Sequence, residues 1–286
     1  MRYANYSGFH GMLRSLGPEE AAHRTAELGF ESVEPFTSYP TGQPLYEVVD
    51  AKRLDAALRE NGLAVACYSM YSVPISVSLA EFCDAMKRHL EYAARIGAPF
   101  FHQTPFPSRV QGERTYTYEE ALETILPYTV AAADLAKEHG IVCLYEPQGP
   151  FFNGPDGLLG LLTAMKRECT NVGICADTGN PLFADHDPLA TFCRLSDDIL
   201  HIHVKDYRVS EVPFEGVREQ RSLAGRYITD CPMGEGVVPV SDCLAAVWDT
   251  GRRPRVALEI PGGPEVLSAA MRYLDAVEAS YERTKG

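Results

Sequence analysis

The chain has 286 residues, 45% of them hydrophobic and 23% charged, with no run approaching the ~20 apolar residues a membrane span requires. Its formal net charge of −13 argues against a nucleic-acid partner, because phosphate backbones are held mainly by Lys and Arg that release their counterions. Eight cysteines are scattered without a C-x-x-C pair, which speaks against a zinc knuckle or thioredoxin-type motif and suggests small buried hydrophobes in a reducing compartment.

The first residues read as a strand, 2–7, without the apolar core of a signal peptide, so a cytoplasmic protein is expected. Ser7-Gly8-Phe9-His10-Gly11 follows as a G-x-x-G turn lacking the third glycine of a dinucleotide fingerprint. Pro18-Glu19-Glu20 opens a helix ending at Gly29, and a second strand covers 32–36. A helix over 54–60 stops at Asn61-Gly62, ahead of a third strand at 64–69. Helix 81–96 ends at Gly97, strand 99–103 follows, and helix 118–139 ends at Gly140, glycine past a helix being able to take the left-handed conformation that reverses the chain. Strands 142–146, 172–176, 199–204 and 255–260 then alternate with helices 157–167, 188–195, 241–249 and 264–282.

Strand-then-helix order with short turns requires parallel strands and right-handed crossovers, and eight such units close into a (β/α)8 TIM barrel. The expected fold is therefore α/β, a single-domain barrel over 1–286. The longest irregular segments, 103–117 and 205–238, both follow strands and should overhang the C-terminal face, where barrel active sites sit.

Glu146, Asp177, His203 and Glu259 stand at the ends of strands five to eight, each interrupting an apolar run. Alone, a strand-end Glu is more often a solvated rim carboxylate and a strand His a satisfied core residue. Together, on strands about 4.7–4.9 Å apart, they converge, and three carboxylates in one volume repel unless a cation holds them. Oxygen-rich ligation with one imidazole suits a divalent metal, manganese ahead of magnesium, cobalt or zinc.

Tyr145-Glu146-Pro147, Ala176-Asp177-Thr178-Gly179-Asn180, His201-Ile202-His203-Val204-Lys205-Asp206 and Leu258-Glu259 resemble the xylose isomerase-like barrel superfamily of sugar isomerases and epimerases. Gly29-Phe30-Glu31-Ser32-Val33-Glu34 and Gly234-Glu235-Gly236 extend the likeness along the chain. The resemblance implies one divalent metal on Glu146, Asp177, His203 and Glu259, chelated by adjacent carbonyl and hydroxyl oxygens of a sugar-like substrate. Glu146 and Glu259 are the candidate proton carriers, since two carboxylates flanking a carbon can take a proton and return one. Two positions depart from members resembling ketose 3-epimerases: Asn180 replaces a histidine and Phe152 an acid, which argues against a free ketohexose.

Gln148 shares the parity of Glu146, and Lys205 that of His203, so both are candidates to bind substrate; a rim glutamine and a surface lysine paired to Asp206 are the bland alternatives. Asn180, Glu34, His102 and His10 complete the substrate-binding candidates, with Tyr68 and Cys67 less favoured, and His201 expected as a core or supporting residue. Glu34 alternatively bonds a nearby backbone N–H. Arg208, Arg218, Arg221 and Arg226 make the segment after strand seven locally basic, either a solvated lid or a contact for substrate phosphate or carboxylate.

The expected activity is isomerisation or epimerisation of a sugar, keto-sugar or polyol-derived carbonyl through an enediolate. The alternative is a lyase or dehydratase that performs β-elimination on an inosose, 3-oxo-glycoside or related ketone. A zinc endonuclease would need further histidines and a basic groove, and a non-catalytic barrel would have little use for a carboxylate cluster. A homo-oligomer is the default expectation.

Overall fold

The computed structural model describes residues 3–37, 43–106 and 116–285. Its parallel sheet contains β1 (Tyr3–Asn5), β2 (Ser32–Val33), β3 (Ala64–Val65), β4 (Tyr68–Ser69), β5 (Phe100–Gln103), β6 (Val142–Tyr145), β7 (Val172–Asp177) and β8 (Ile199–Val204). After β8 come β9 (Tyr207–Ser210), β10 (Gln220–Arg221), β11 (Tyr227–Asp230) and finally β12 (Arg255–Leu258), which returns to the main sheet. The nine strands follow the order β3-β2-β1-β12-β8-β7-β6-β5-β4. The two outermost strands are consecutive pieces of one segment: β3 pairs with β2, while β4 pairs with β5. The expected strand 64–69 is thus broken at Ala66-Cys67, and its halves bring the sheet round to a nearly closed α/β barrel.

Helices cover the outside and bury their apolar faces on the strands. Helix Leu79–Arg95 starts two residues before the expected 81 because Ser78 and Glu81 form a reciprocal capping box. Thr117 and Glu120 cap helix Tyr118–Lys137 in the same way. The turn expected after the first strand is instead a helix, Ser7–Leu16, anchored where Asn5 Oδ1 accepts from Phe9 N at 2.8 Å. Gly17, at φ 82°, separates it from helix Pro18–Glu27. Most of the expected segment 103–117 lies outside the described residues, and no described helix is long and apolar enough to cross a membrane.

The segment 205–238, expected to be irregular, contains the antiparallel sheet β10-β11-β9. Its organiser is buried Asp206, which accepts from the backbone N–H groups of Tyr207 and Val238 on one oxygen and of Gly234 and Gly236 on the other, at 2.8–3.2 Å. A Cβ at Gly236 would stand 2.0 Å from that carboxylate, so only glycine admits the approach. Hydrogen bonds to a charged acceptor contribute about 1.5–3 kcal/mol each. Asp206→Ala should therefore lower unfolding stability by more than about 3 kcal/mol, read by urea denaturation; a loss under 1 kcal/mol would contradict the organising role.

Candidate active site

The C-terminal ends of β6, β7, β8 and β12 carry the acid and imidazole groups expected from the sequence. Asp177 pairs in register with His203 across β7 and β8, and His203 with Ala257 across β12. Glu146 and Glu259 extend the ladder one step beyond their strands, their N–H groups donating to Gln103 O and Val204 O. Between β7 and β8 the register shifts by one residue: Ile174 pairs with Ile199, but Cys175 with His201. Paired residues of parallel strands face the same side, so the shift sets His203, rather than Ile202, beside Asp177.

Glu146, Asp177, His203 and Glu259 each offer one ligand atom, all within 4.8 Å of one another. His203 Nδ1 lies 2.9 Å from Glu146 Oε1 and 3.3 Å from Glu259 Oε2. Its other nitrogen, Nε2, donates to Glu34 Oε1 at 2.8 Å, while His201 Nε2 donates to Glu34 Oε2 at 2.6 Å and the Ser69 hydroxyl also donates to Glu34. Burial alone would raise the Glu34 pKa, but the two imidazoles hold it well below the usual carboxylate range. As an acceptor only, Glu34 keeps a proton on His203 Nε2 and orients the Nδ1 edge toward the carboxylates.

Burial likewise works against ionised Glu146, yet the imidazole of His102, 3.5 Å away, and that of His203, hydrogen-bonded to it, hold its pKa low. For Asp177 burial wins and pushes the carboxyl up to about 7, with Glu146 and Glu259 adding to the rise and Lys205 opposing it. Lys205 is buried, with Nζ 2.9 Å from Asp177 Oδ2 and 2.8 Å from Glu259 Oε2. These are charge contacts rather than aligned hydrogen bonds: both carboxylate oxygens are buried without a hydrogen-bond partner. Two under-satisfied oxygens, a low-pKa carboxylate and an imidazole with a preset Nδ1 edge form a donor set that suits a divalent cation.

A cavity of about 500 Å³ opens beside this cluster, lined by Gln148, Asn180, Lys205, Tyr207, Arg221 and Glu259 among others. Asn180 reaches it from the turn after β7, where Asp177 Oδ1 accepts from the N–H groups of Gly179 and Asn180. Its side chain donates to Pro147 O at 3.1 Å and accepts from Lys205 Nζ at 3.2 Å, which fixes the lysine. The bland pairing of Lys205 with Asp206 does not occur, since both Asp206 oxygens are taken by backbone amides.

Several of the expected substrate-binding residues do not line this cavity. Glu34 is fully buried with both oxygens engaged and supports His203. His102 sits behind the cluster, 3.5 Å from Glu146 Oε2, and does not line the cavity. His10, on helix Ser7–Leu16, packs edge-on against Phe36 at 5.6 Å, and Phe36 in turn meets Tyr6. Cys67 and Tyr68 are core residues. Sequence reasoning missed Ser69 and Tyr6, whose ring stacks on His203 at 4.9 Å; the strand-end position of each was the available signal.

A nearly closed barrel of parallel strands, with carboxylates and imidazole gathered at its C-terminal mouth, defines a class of enzyme scaffold. Over residues 22–277 the sequence matches the family described as Xylose isomerase-like TIM barrel, and the chain belongs to that family. An inosose dehydratase from Geobacillus thermodenitrificans (strain NG80-2) is 24% identical over 250 residues, covering 82% of this chain and 79% of the relative. Among solved structures, the probable 3-DHS dehydratase AsbF of Bacillus anthracis superposes with a TM-score of 0.72 at 21% identity, covering 96% of this chain and 99% of the other. An L-ribulose 3-epimerase gives 0.75 at 13% identity, covering 99% and 96% of the respective chains. The IOLI protein, crystallised with a zinc atom, gives 0.74 at 15%, covering 98% and 99%. Two of these proteins are thus named as dehydratases and one as an epimerase, and the fourth was crystallised with a divalent metal.

Proposed function

We propose that this protein is a metal-dependent lyase that eliminates water from a polyhydroxy ketone, the β-hydroxyl leaving after deprotonation beside the carbonyl. The observation that carries this reading is the Lys205–Glu259 pair, 2.8 Å apart and both on the cavity wall. Epimerisation needs proton carriers on opposite faces of one carbon. Here a carboxylate and an ammonium share one wall, which suits removal of a proton and protonation of a leaving hydroxyl from the same side. The dehydratases among the relatives favour elimination over the isomerase or epimerase expected first.

Glu146, Asp177, His203 and Glu259 would hold the metal, with Mn2+ the proposed ion because three of the four donors are carboxylates. When bound, such a cation supplies Lewis-acid stabilisation of the charge that builds on the carbonyl oxygen. Glu259, 29% exposed, takes the α-proton through its cavity-facing carboxylate. Glu146, only 4% exposed and tied to His203 and His102, serves as ligand only, which narrows the pair of proton carriers expected from the sequence. Lys205 gives a proton to the departing hydroxyl, which leaves as water as the C–O bond breaks and the C=C bond forms. Proton exchange with solvent then resets both groups, so ketone becomes enone plus water. Gln148 and Asn180 donate to substrate hydroxyls along the same wall.

Incubation of the metal-loaded protein with inososes and related cyclic ketones should generate the ultraviolet absorption of a conjugated enone. Solvent deuterium entering recovered ketone without that absorption would establish epimerisation instead. Glu34→Gln should weaken metal binding by about 10–100-fold, because the group that orients the His203 imidazole loses its charge. Calorimetric titration with Mn2+ measures this, and a change under threefold would remove Glu34 from the site.

A further inference from the structure

The structure assigns a second recognition element to the cavity, resting on the elimination reading for the identity of the reacting end: we propose that Arg221 binds an anionic group of the substrate, a carboxylate or phosphate carried away from the reacting carbonyl. Against a net charge of −13, two cationic side chains line this cavity, Lys205 and Arg221. The charge of Lys205 is answered by Asp177 and Glu259. On the neighbouring segment Arg208 pairs with Glu235 at 2.8 Å and Arg226 with Asp185 at 2.7 Å, so both are committed within the protein. Arg221 has no acidic partner among the described residues, and of these arginines it alone lines the cavity.

Its placement is built rather than incidental. Arg221 and Tyr227 are paired across β10 and β11, which holds the guanidinium over the phenol ring, 4.1 Å from its centroid. One terminal nitrogen donates to the Tyr227 hydroxyl, which holds the guanidinium in place. The ring contact and this bond use part of the guanidinium and leave its other N–H groups available to grip carboxylate or phosphate oxygens. Gln220 and Gln148 on the same wall add neutral polar contacts. Arg221 is exposed, so a charged substituent can reach it where a neutral polyhydroxy ketone offers it no anion.

The test uses the metal-loaded protein and unreactive ligands, so that binding is read without turnover. A polyhydroxycyclohexene carboxylate, the corresponding phosphate monoester and the neutral carboxamide are titrated calorimetrically into the wild type, Arg221→Met and Arg221→Lys. At least one anion is expected to bind about tenfold or more tightly than the carboxamide in the wild type, since a charge-assisted hydrogen bond contributes about 1.5–3 kcal/mol. That preference should fall below twofold in Arg221→Met and be partial in Arg221→Lys, with carboxamide affinity unchanged. Which anion shows it identifies the group. Equal affinities for all three ligands in the wild type, or a preference that survives in Arg221→Met, would overturn the assignment. An Arg221-dependent preference combined with a failed enone assay would reject the elimination chemistry and leave the anion site standing.

Discussion

Lys205→Met is expected to lower kcat for elimination by about 10²–10⁴, the range typical of a lost general acid, while the protein still binds its metal. Methionine keeps the length and the apolar stem of lysine and removes only the ammonium that contacts Asp177 Oδ2 and Glu259 Oε2 at 2.9 and 2.8 Å. Relieved of that competing cation, the two oxygens become better donors, so metal affinity should hold or tighten as turnover falls. A purely structural lysine would give the opposite pattern, with weaker folding and weaker metal binding accompanying any loss of rate. Steady-state kinetics beside Mn2+ titration separates the two, and a kcat within tenfold of wild type would remove Lys205 from the chemistry.

Metal removal carries the second large effect. Dialysis against a chelator should reduce elimination to background, and Mn2+ should restore it. The pH dependence of rebinding follows from the residues themselves. Burial disfavours a charged His203, but Cys175, Glu34 and Glu146 together raise its pKa well above the usual imidazole value. Burial also pushes Asp177 up to about 7. A metal ligand set needs the imidazole neutral and the carboxylate ionised, so binding expels protons: from both groups below about pH 7, and mainly from His203 just above it. Affinity should therefore rise with pH by about tenfold per unit for each proton released, more steeply below about 7 than above. Calorimetry in buffers of different ionisation enthalpy counts the protons, and an affinity flat between pH 6 and 8 would contradict the cluster as a metal site (about tenfold per proton being the expected slope).

Much of this architecture was legible in one dimension. Apolar runs bounded by glycine and interrupted by amphipathic helices announced parallel strands and a barrel, and the three acids and one histidine ending four of those runs marked its candidate functional mouth. Less legible was anything that depends on a partner far along the chain. In sequence Glu34 reads as a strand-end carboxylate that either orients a sugar hydroxyl or bonds a backbone N–H, yet its environment is set by His201 and His203, 167 and 169 residues away, and by Ser69. The basic character of the segment 205–238 was visible as composition. Which of its arginines lines the cavity without an acidic partner among the described residues depended on Glu235 and Asp185, which take Arg208 and Arg226, and on a small sheet whose strands are too short to carry a periodic signal.

Local periodicity, turn chemistry and the placement of charge within apolar runs determined the barrel class and the four strand-end groups, because these are properties of neighbours in sequence. Tertiary structure alone decided which side chain faces which. The one-residue register shift between β7 and β8 sets His203 beside Asp177, and the closure of β4 against β5 and β3 against β2 carries Ser69 to Glu34. Strand side chains alternate faces, so a single step in pairing exchanges a buried ligand for an outward apolar residue, a choice made only when the strands meet.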